Sequence, residues 1–204
     1  AKRDQLMETR ADEIARQGGK AFLIPEGGSN EVGSWGYVRC AQELAEQLGG
    51  RPATIVYAVG SGGTAAGLIA GCRLLDLPYR LIGICVADDR PTFQHRISSI
   101  LSAMATRYAI DVEVEPEGIE IWEGYVGRGY ALSQPEELRC IVDVARGEGI
   151  VLDPVYTGKA MYGLLNELQQ GAARAKKLSD PIIFLHTGGI FGLFDKADEL
   201  LPPL

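Results

Sequence analysis

The chain has 204 residues, of which 46% are hydrophobic, enough to bury one core of ordinary domain size. Its formal net charge of -7 argues against a nucleic-acid or anionic-membrane partner, because either would require a basic face. The sequence has no apolar stretch of about 18 residues and no secretory signal pattern. We therefore expect a soluble, cytoplasmic protein that acts on a small molecule.

The cysteines predict neither a disulfide nor a metal site. They are widely spaced and form no C-x-x-C pair, and each falls in a stretch that resembles helix or strand: Cys40, Cys72, Cys85 and Cys140. This pattern is typical of buried free thiols in a reducing compartment.

The first quarter of the chain predicts two helices and a short strand. Residues 4–17 are charged and have helical spacing, and a glycine pair follows them. Residues 20–25 (KAFLIP) indicate a strand. A polar, glycine-rich loop over residues 26–37 then leads into an amphipathic helix, which a second glycine pair ends.

Residues 57–67 (YAVGSGGTAAG) join a short apolar strand, which begins at Ala53, to a helix over residues 65–75. The glycines between strand and helix allow backbone N–H groups to approach a ligand closely. These groups, two hydroxyls and the positive end of the helix would converge on one anion. The predicted phosphate cradle comprises Gly60, Ser61, Gly62, Gly63 and Thr64.

The same glycines leave two alternatives open. Gly60-x-Gly62-x-x-Ala65 also fits the dinucleotide-binding fingerprint, and the acidic Asp88 and Asp89 lie just beyond the next predicted strand. A tight strand-to-helix turn that binds nothing is the second alternative.

The remainder of the chain repeats the order strand, loop, helix. Strands are predicted at 79–86, 111–115, 150–152 and 181–186, and helices at 91–108, from Ser133 to Gly147, and after Gly158. Ser133 and Glu136 would form the capping box of the second of these helices. This order predicts a mainly parallel sheet with helices on both faces, a three-layer α/β sandwich whose ligands bind beyond the carboxyl ends of the strands.

Four loops together resemble one family. They read IPEGGSN followed by GYV, GSGGTAAG, DPVYTGK and HTGG, and they span nearly the whole chain in the family's order. The family comprises the pyridoxal-phosphate enzymes of fold type II that include D-cysteine desulfhydrase and 1-aminocyclopropane-1-carboxylate (ACC) deaminase. The resemblance implies a pyridoxal 5'-phosphate cofactor held by the cradle, an amino-acid substrate and a homodimer. It places Tyr156 beside the pyridine ring and Tyr130 as a phenol facing the substrate.

Two threonines bear on the activity. The deaminases typically read DPVYEGK and HLGG, whereas this chain has Thr157 and Thr187 near the implied position of the ring nitrogen. A carboxylate would keep that nitrogen protonated and make the ring a strong electron sink, whereas a hydroxyl leaves the nitrogen nearer neutral. A weaker sink suits β-elimination of a thiol, which favours D-cysteine desulfhydrase chemistry, with an ACC deaminase as the alternative.

Several of these residues also have simpler interpretations. Tyr125 could replace Tyr130 as the functional phenol, because the loop reads Gly-Tyr-Ala-Leu-Ser where the family usually has Gly-Tyr-Gly. Thr157 could be a helix N-cap. We expect Lys159 to point to solvent and His186 to serve as a hydrogen-bonding histidine.

The resemblance implies a Schiff-base lysine upstream of the matched region, and no lysine here has that context: Lys2, Lys20, Lys159, Lys176, Lys177 and Lys196. We therefore expect the carboxyl-terminal portion of a longer enzyme, inactive by itself. Residues 1–50 would be the end of a small domain and the return into a large one, and residues 51–204 the rest of the large cofactor-binding domain. A non-catalytic binding subunit that has lost the lysine is a further alternative.

Overall fold

The computed structural model describes residues 2–200, so the ends of the two predicted domain ranges, residue 1 and residues 201–204, lie outside the described residues. Its centre is a four-stranded, all-parallel sheet in the order β3-β2-β1-β4. The strands are β1 (Ala53–Val59), β2 (Tyr79–Cys85), β3 (Ile121–Trp122) and β4 (Ile182–Phe184). The predicted parallel α/β architecture is confirmed.

Strand β1 lies in the middle of the sheet, between β2 and β4. Its residues are all buried, as expected for a parallel strand with both faces covered. Tyr57 and Ile55 pack into the core on one face, whereas Val56 and Ala58 pack into the core on the other. This burial on both sides explains why the strand is an uninterrupted apolar run in the sequence.

Helices cover both faces of the sheet. The helices are α1 (Lys2–Arg16), α2 (Trp35–Leu48), α3 (Gly63–Leu74), α4 (Arg90–Tyr108), α5 (Pro135–Glu148), α6 (Thr157–Gln169) and α7 (Ala197–Leu200). Helices α2, α3 and α4 contribute to the core on one face, and α6 packs on β1 and β2 from the other, with α5 beside it. Short 3-10 turns occupy Glu26–Gly28, Pro116–Gly118, Ala175–Lys177 and Ile190–Lys196.

Helix α3 packs on α2 through a row of glycines. A Cβ atom at Gly67 would lie 2.2 Å from the carbonyl oxygen of Ser34, and one at Gly71 would lie 2.6 Å from the Cβ of Ala41. These glycines are four residues apart, so they share one face of the helix. Their lack of side chains lets α2, and the loop before it, lie directly against the helix that follows the cradle.

Three predicted strands do not form, and one forms elsewhere. Residues 20–25, 111–115 and 150–152 belong to no ladder of the described sheet, whereas Ile121–Trp122 pairs with β2. In the first of these segments Phe22 is 78% exposed, because no described strand lies beside it. Strand pairing depends on a partner that the local sequence does not show.

The capping box of α5 lies one residue later than predicted. Gln134 is the N-cap, and its backbone N–H donates to Glu137 Oε2 at 2.8 Å. The hydroxyl of Ser133 instead donates to the carbonyl oxygen of Pro154. That bond ties the start of α5 to the loop before α6.

Within residues 2–200, no helix is both long enough and apolar enough to cross a bilayer. The same residues contain no group of three metal-ligating side chains, and all four cysteines are free. Burial raises the pKa of the Cys140 thiol to about 11, which makes it a poor nucleophile at neutral pH.

Candidate active site

A cavity of about 290 Å³ opens at the carboxyl end of β1, where five parts of the chain meet. It is lined by Glu26, Gly27, Gly28, Ser29, Gly33, Tyr37, Ala58, Gly60, Ser61, Gly63, Thr64, Tyr130, Tyr156 and Thr187. Most of the residues singled out in the sequence therefore meet in one place. Two of the predicted site residues, Gly62 and Thr157, are not among the described residues that line the cavity.

The glycine turn forms one wall of the cavity. Gly62 adopts a φ of +95°, which favours glycine, and it is the N-cap of α3 without a side-chain cap. A Cβ at Gly60 would lie 2.8 Å from a ring carbon of Tyr156. The N–H groups in the first turn of a helix have no partner within the helix, and they carry its positive dipole end. This wall fits an anionic phosphate group.

Ser29 contacts the glycine turn, although it was not among the predicted residues of the cradle. Its Oγ lies 2.6 Å from Ser61 Oγ and accepts a hydrogen bond from the backbone N–H of Gly63 at 3.2 Å. A Cβ at Gly63 would lie 2.6 Å from the same Ser29 Oγ. The IPEGGSN motif contained the signal, but only the packing of α2 on α3 brings that loop to the cradle.

Two phenols meet at the mouth of the cavity. The hydroxyls of Tyr130 and Tyr156 share a hydrogen bond, and their ring centroids are 5.9 Å apart. Tyr130 is 52% exposed. Burial and the hydrogen bond to Tyr130 raise the pKa of Tyr156 well above its ordinary value. Tyr125 is buried elsewhere, where its hydroxyl donates to Glu167. Of the two alternatives in the sequence, Tyr130 is the one that reaches the cavity.

Asp153 fixes the position of Tyr156. It is fully buried, and its carboxylate accepts hydrogen bonds from the backbone N–H groups of Val155, Tyr156 and Thr157 at 2.7–2.8 Å. A buried carboxylate that accepts hydrogen bonds from several backbone N–H groups fixes the conformation of the chain that enters a helix. The carboxylate therefore holds the loop that carries the phenol.

Thr157 lies behind this loop rather than in the cavity. It is fully buried, its hydroxyl donates to Asp153 Oδ1 at 2.7 Å, and it accepts from the backbone N–H of Asp153 at 2.8 Å. Thr157 is not the N-cap considered above, because the helix begins at Thr157 itself and Tyr156 is the N-cap. Its hydroxyl proton is already committed to Asp153.

Thr187 lines the cavity on a loop that His186 holds in place. The Nδ1 atom of His186 accepts a hydrogen bond from the backbone N–H of Gly188, so its Nε2–H donates to the carbonyl oxygen of Val151 at 2.9 Å. Gly189 packs so closely on Asp153 that a Cβ there would lie 2.7 Å from its Cγ. His186 is thus a hydrogen-bonding histidine, as expected.

Lys159 does not point to solvent, and that prediction is wrong. Its side chain is fully buried on the inner face of α6. The ammonium donates to the carbonyl oxygens of Val126, Gly129 and Leu132 at 2.5, 2.7 and 3.2 Å. Its place in the first turn suggested exposure, but the loop before α5 folds over it.

Comparison with known proteins agrees with this geometry. Residues 1–188 match the family described as "Pyridoxal-phosphate dependent enzyme". The chain belongs to this family. It is 37% identical over 204 residues to the Arabidopsis thaliana bifunctional D-cysteine desulfhydrase/ACC deaminase (97% of this chain, 48% of the relative). It is 40% identical to the D-cysteine desulfhydrase of Yersinia enterocolitica (94% of this chain, 57% of the relative).

Solved structures agree as well. A crystal structure described as an ACC deaminase homologue superimposes with a TM-score of 0.83 at 38% identity, covering 95% of this chain and 57% of that one. A processed threonine deaminase from Solanum lycopersicum shares the fold alone, with a TM-score of 0.57 at 18% identity over 94% of this chain and 55% of that one. The chain therefore spans about half the length of the relatives it matches.

The family and its cofactor are thus as the sequence predicted. One of the two acidic residues that supported the dinucleotide alternative, Asp89, is instead the N-cap of α4, where it accepts from the backbone N–H of Thr92 at 2.8 Å. The cradle of glycines, hydroxyls and a helix N-terminus fits the phosphate of pyridoxal phosphate. No lysine is among the described residues that line the cavity.

Reductive trapping should leave Lys159 unmodified. When the full-length protein with bound pyridoxal phosphate is reduced with borohydride, we expect any stoichiometric adduct at a lysine other than Lys159, because this ammonium is buried and fully hydrogen-bonded. Peptide mass spectrometry beside the intact mass would locate the adduct, with protein reduced after cofactor removal as the control. A stoichiometric adduct at Lys159 would contradict the conclusion that this lysine is buried and does not bind the cofactor.

Proposed function

We propose that the full-length protein is a pyridoxal-phosphate-dependent lyase that converts D-cysteine and water to pyruvate, ammonia and hydrogen sulfide. The observation that carries this proposal is the character of the cavity around Thr187. Glu26 is the one acidic residue among the described lining residues, and the two positions expected near the ring nitrogen are both threonine. The deaminases typically place a carboxylate at the position of Thr157, and this chain has a carboxylate at neither position.

The argument is electronic. Bound pyridoxal phosphate supplies an electron sink for the carbanion left when the substrate loses its α-proton. A hydroxyl near the ring nitrogen does not keep that nitrogen charged as a carboxylate would. Elimination of the thiol from the neighbouring carbon consumes the carbanion quickly, so a moderate electron sink is sufficient. With Thr157 committed to Asp153, Thr187 is the residue we assign to the ring nitrogen.

The other site residues have distinct proposed roles. The backbone around Gly60, Gly62 and Gly63, with the hydroxyls of Ser61 and Thr64, would bind the phosphate. The Tyr156 phenol would pack near the pyridine ring, and its raised pKa keeps it protonated at neutral pH. Tyr130 lies on the open side of the cavity, where we assign it to the substrate.

An ACC deaminase is the second candidate. The putative ACC deaminase of Pyrococcus horikoshii is 39% identical over 95% of this chain and 57% of its own length. The similarity to the solved ACC deaminase homologue supports the same candidate.

A product assay on the purified full-length protein separates the two candidates. We expect D-cysteine to yield equal amounts of sulfide and pyruvate, with ACC yielding little 2-oxobutyrate. L-cysteine is the control for stereochemistry, and a Thr187→Leu variant is expected to lower the sulfide yield, because it removes the cavity hydroxyl. Turnover of ACC without sulfide release from D-cysteine would overturn the proposal in favour of the deaminase.

We also propose that the full-length protein is a cytoplasmic homodimer, and that residues 1–50 lead from a small domain into the large one. The exposed apolar side chains of Phe22 and Ile24, 78% and 66% accessible, support contact of this segment with parts of the protein beyond the described residues. Light scattering of the full-length protein would measure the assembly.

A further inference from the structure

The loop over residues 126–132 carries Tyr130 but has almost no regular structure of its own. Within the described structure its own backbone contacts are an isolated bridge between Gly129 and Leu132 and two long hydrogen bonds, from the Gly129 N–H to the Val126 carbonyl at 3.4 Å and from the Leu132 N–H to the Gly129 carbonyl at 3.2 Å. Gly127 and Ala131 both have positive φ, at +67° and +58°, and the latter is unfavourable for a residue with a Cβ. A loop of this kind needs an external contact to hold one conformation.

Lys159 supplies that contact. An ammonium has three protons, and here they are matched by the carbonyl oxygens of Val126, Gly129 and Leu132. These residues span the loop from its start to its end and flank Tyr130. Lys159 itself lies three residues after Tyr156, in the first turn of α6. The lysine therefore connects the segment of one cavity phenol to the segment of the other.

A buried charge at this position is costly. Transfer of an ammonium out of water is unfavourable unless it is paired and hydrogen-bonded. Glu137, which is 1% exposed, provides a nearby negative charge, and its Oε1 has no hydrogen-bond partner among the described residues. An apolar side chain of similar length would fill the same space without this cost, so packing alone does not explain the lysine.

We propose that Lys159 is a positioning residue, whose ammonium holds residues 126–132 so that the hydroxyl of Tyr130 meets that of Tyr156 in the cavity. The catalytic consequence rests on the proposed function of the two phenols. The structural consequence, an ordered loop, does not depend on the identity of the substrate.

The test uses Lys159→Met in the full-length holoenzyme, with Lys176→Met, an exposed lysine on a distant 3-10 turn, as the matched control. We expect kcat per bound cofactor to fall about 10²-fold, as for a misplaced catalytic group, with a much smaller change in KM. Hydrogen exchange of residues 126–132 should accelerate, while that of β1 and α3 stays unchanged. The control should change neither quantity.

A double-mutant cycle separates positioning from general damage. If Lys159 acts through Tyr130, adding Tyr130→Phe to Lys159→Met should cause little further loss in kcat. Independent, multiplicative losses would overturn the proposal, and so would unchanged exchange in the loop. Should the enzyme prefer ACC to D-cysteine, the cycle runs on that substrate and the exchange result is unaffected, so the two failures are distinguishable.

A folding defect in Lys159→Met would not end the test. Lys159→Gln retains N–H donors and should give loop protection between that of the wild type and that of an unbonded loop. In wild-type protein labelled with 15N-lysine, a slowly exchanging ammonium resonance with contacts to residues 126–132 is expected. Its absence would overturn the proposal without any variant.

Discussion

Replacing Tyr156 with phenylalanine should lower the kcat of the full-length enzyme by about 10²–10⁴-fold while the cofactor stays bound. The substitution removes only the hydroxyl group, which lies in the cavity and shares a hydrogen bond with the hydroxyl of Tyr130. The ring remains in place because Asp153 holds its backbone rather than its hydroxyl. Steady-state kinetics together with the absorbance of the bound cofactor would measure the two effects separately.

The pH dependence has a defined sign. Burial raises the pKa of Tyr156, so its hydroxyl remains a donor at neutral pH and loses its proton only at strongly alkaline pH. Activity that depends on this proton should therefore not decline between about pH 7 and pH 9 through this group. Tyr162→Phe is the control for Tyr156→Phe, because it removes the same hydroxyl from a ring that packs against Tyr125 away from the cavity. A Tyr156→Phe enzyme with wild-type kcat would remove this phenol from the mechanism.

Gly67→Ala should destabilise the protein by about 1–3 kcal/mol, the usual cost of overpacking a tight core. The added Cβ would lie 2.2 Å from the carbonyl oxygen of Ser34 and 2.5 Å from the Cβ of Tyr37. Helix α2 would have to move away from α3. Because the same movement shifts the loop that carries Ser29, we also expect weaker cofactor binding. Thermal unfolding and cofactor titration measure the two consequences.

Gly147→Ala is the matched control for this substitution. Gly147 also lies within a helix, α5, but a Cβ there would meet no atom within 4 Å. Alanine is a better helix former than glycine, so this variant should gain about 0.5–1 kcal/mol. Both variants change the same residue type, and only the packing differs. A shift of the same sign and size in both would refute the close α2–α3 contact as the cause.

Local physical chemistry accounts for what could be predicted. The β1 run is apolar because both of its faces are buried, and the glycines after it are needed for the left-handed backbone of Gly62 and for the close packing at Gly60. Helix α4 begins at Arg90, one residue before its predicted start, and the carboxylate of Asp89 caps it. Each of these features depends on residues within one turn or one strand.

The errors fall where a distant segment decides the outcome. Residues 20–25 have the composition of a strand but no described partner, whereas Ile121–Trp122, which lies outside every predicted strand, pairs with β2. The hydroxyl of Thr157 is committed to Asp153, which the motif could not show. Ser29 reaches the cradle because α2 packs on the glycine face of α3.

By itself, the sequence determined the parallel α/β architecture and the family, since apolar runs, glycine turns and ordered motifs are local signals. Only the tertiary structure decided that the side chain of Lys159 is buried. The first turn of a helix is an exposed position unless another segment covers it, and here residues 126–132 surround the ammonium with three carbonyl oxygens. Burial is a property of contacts between segments, so no stretch of the chain read alone could reveal it.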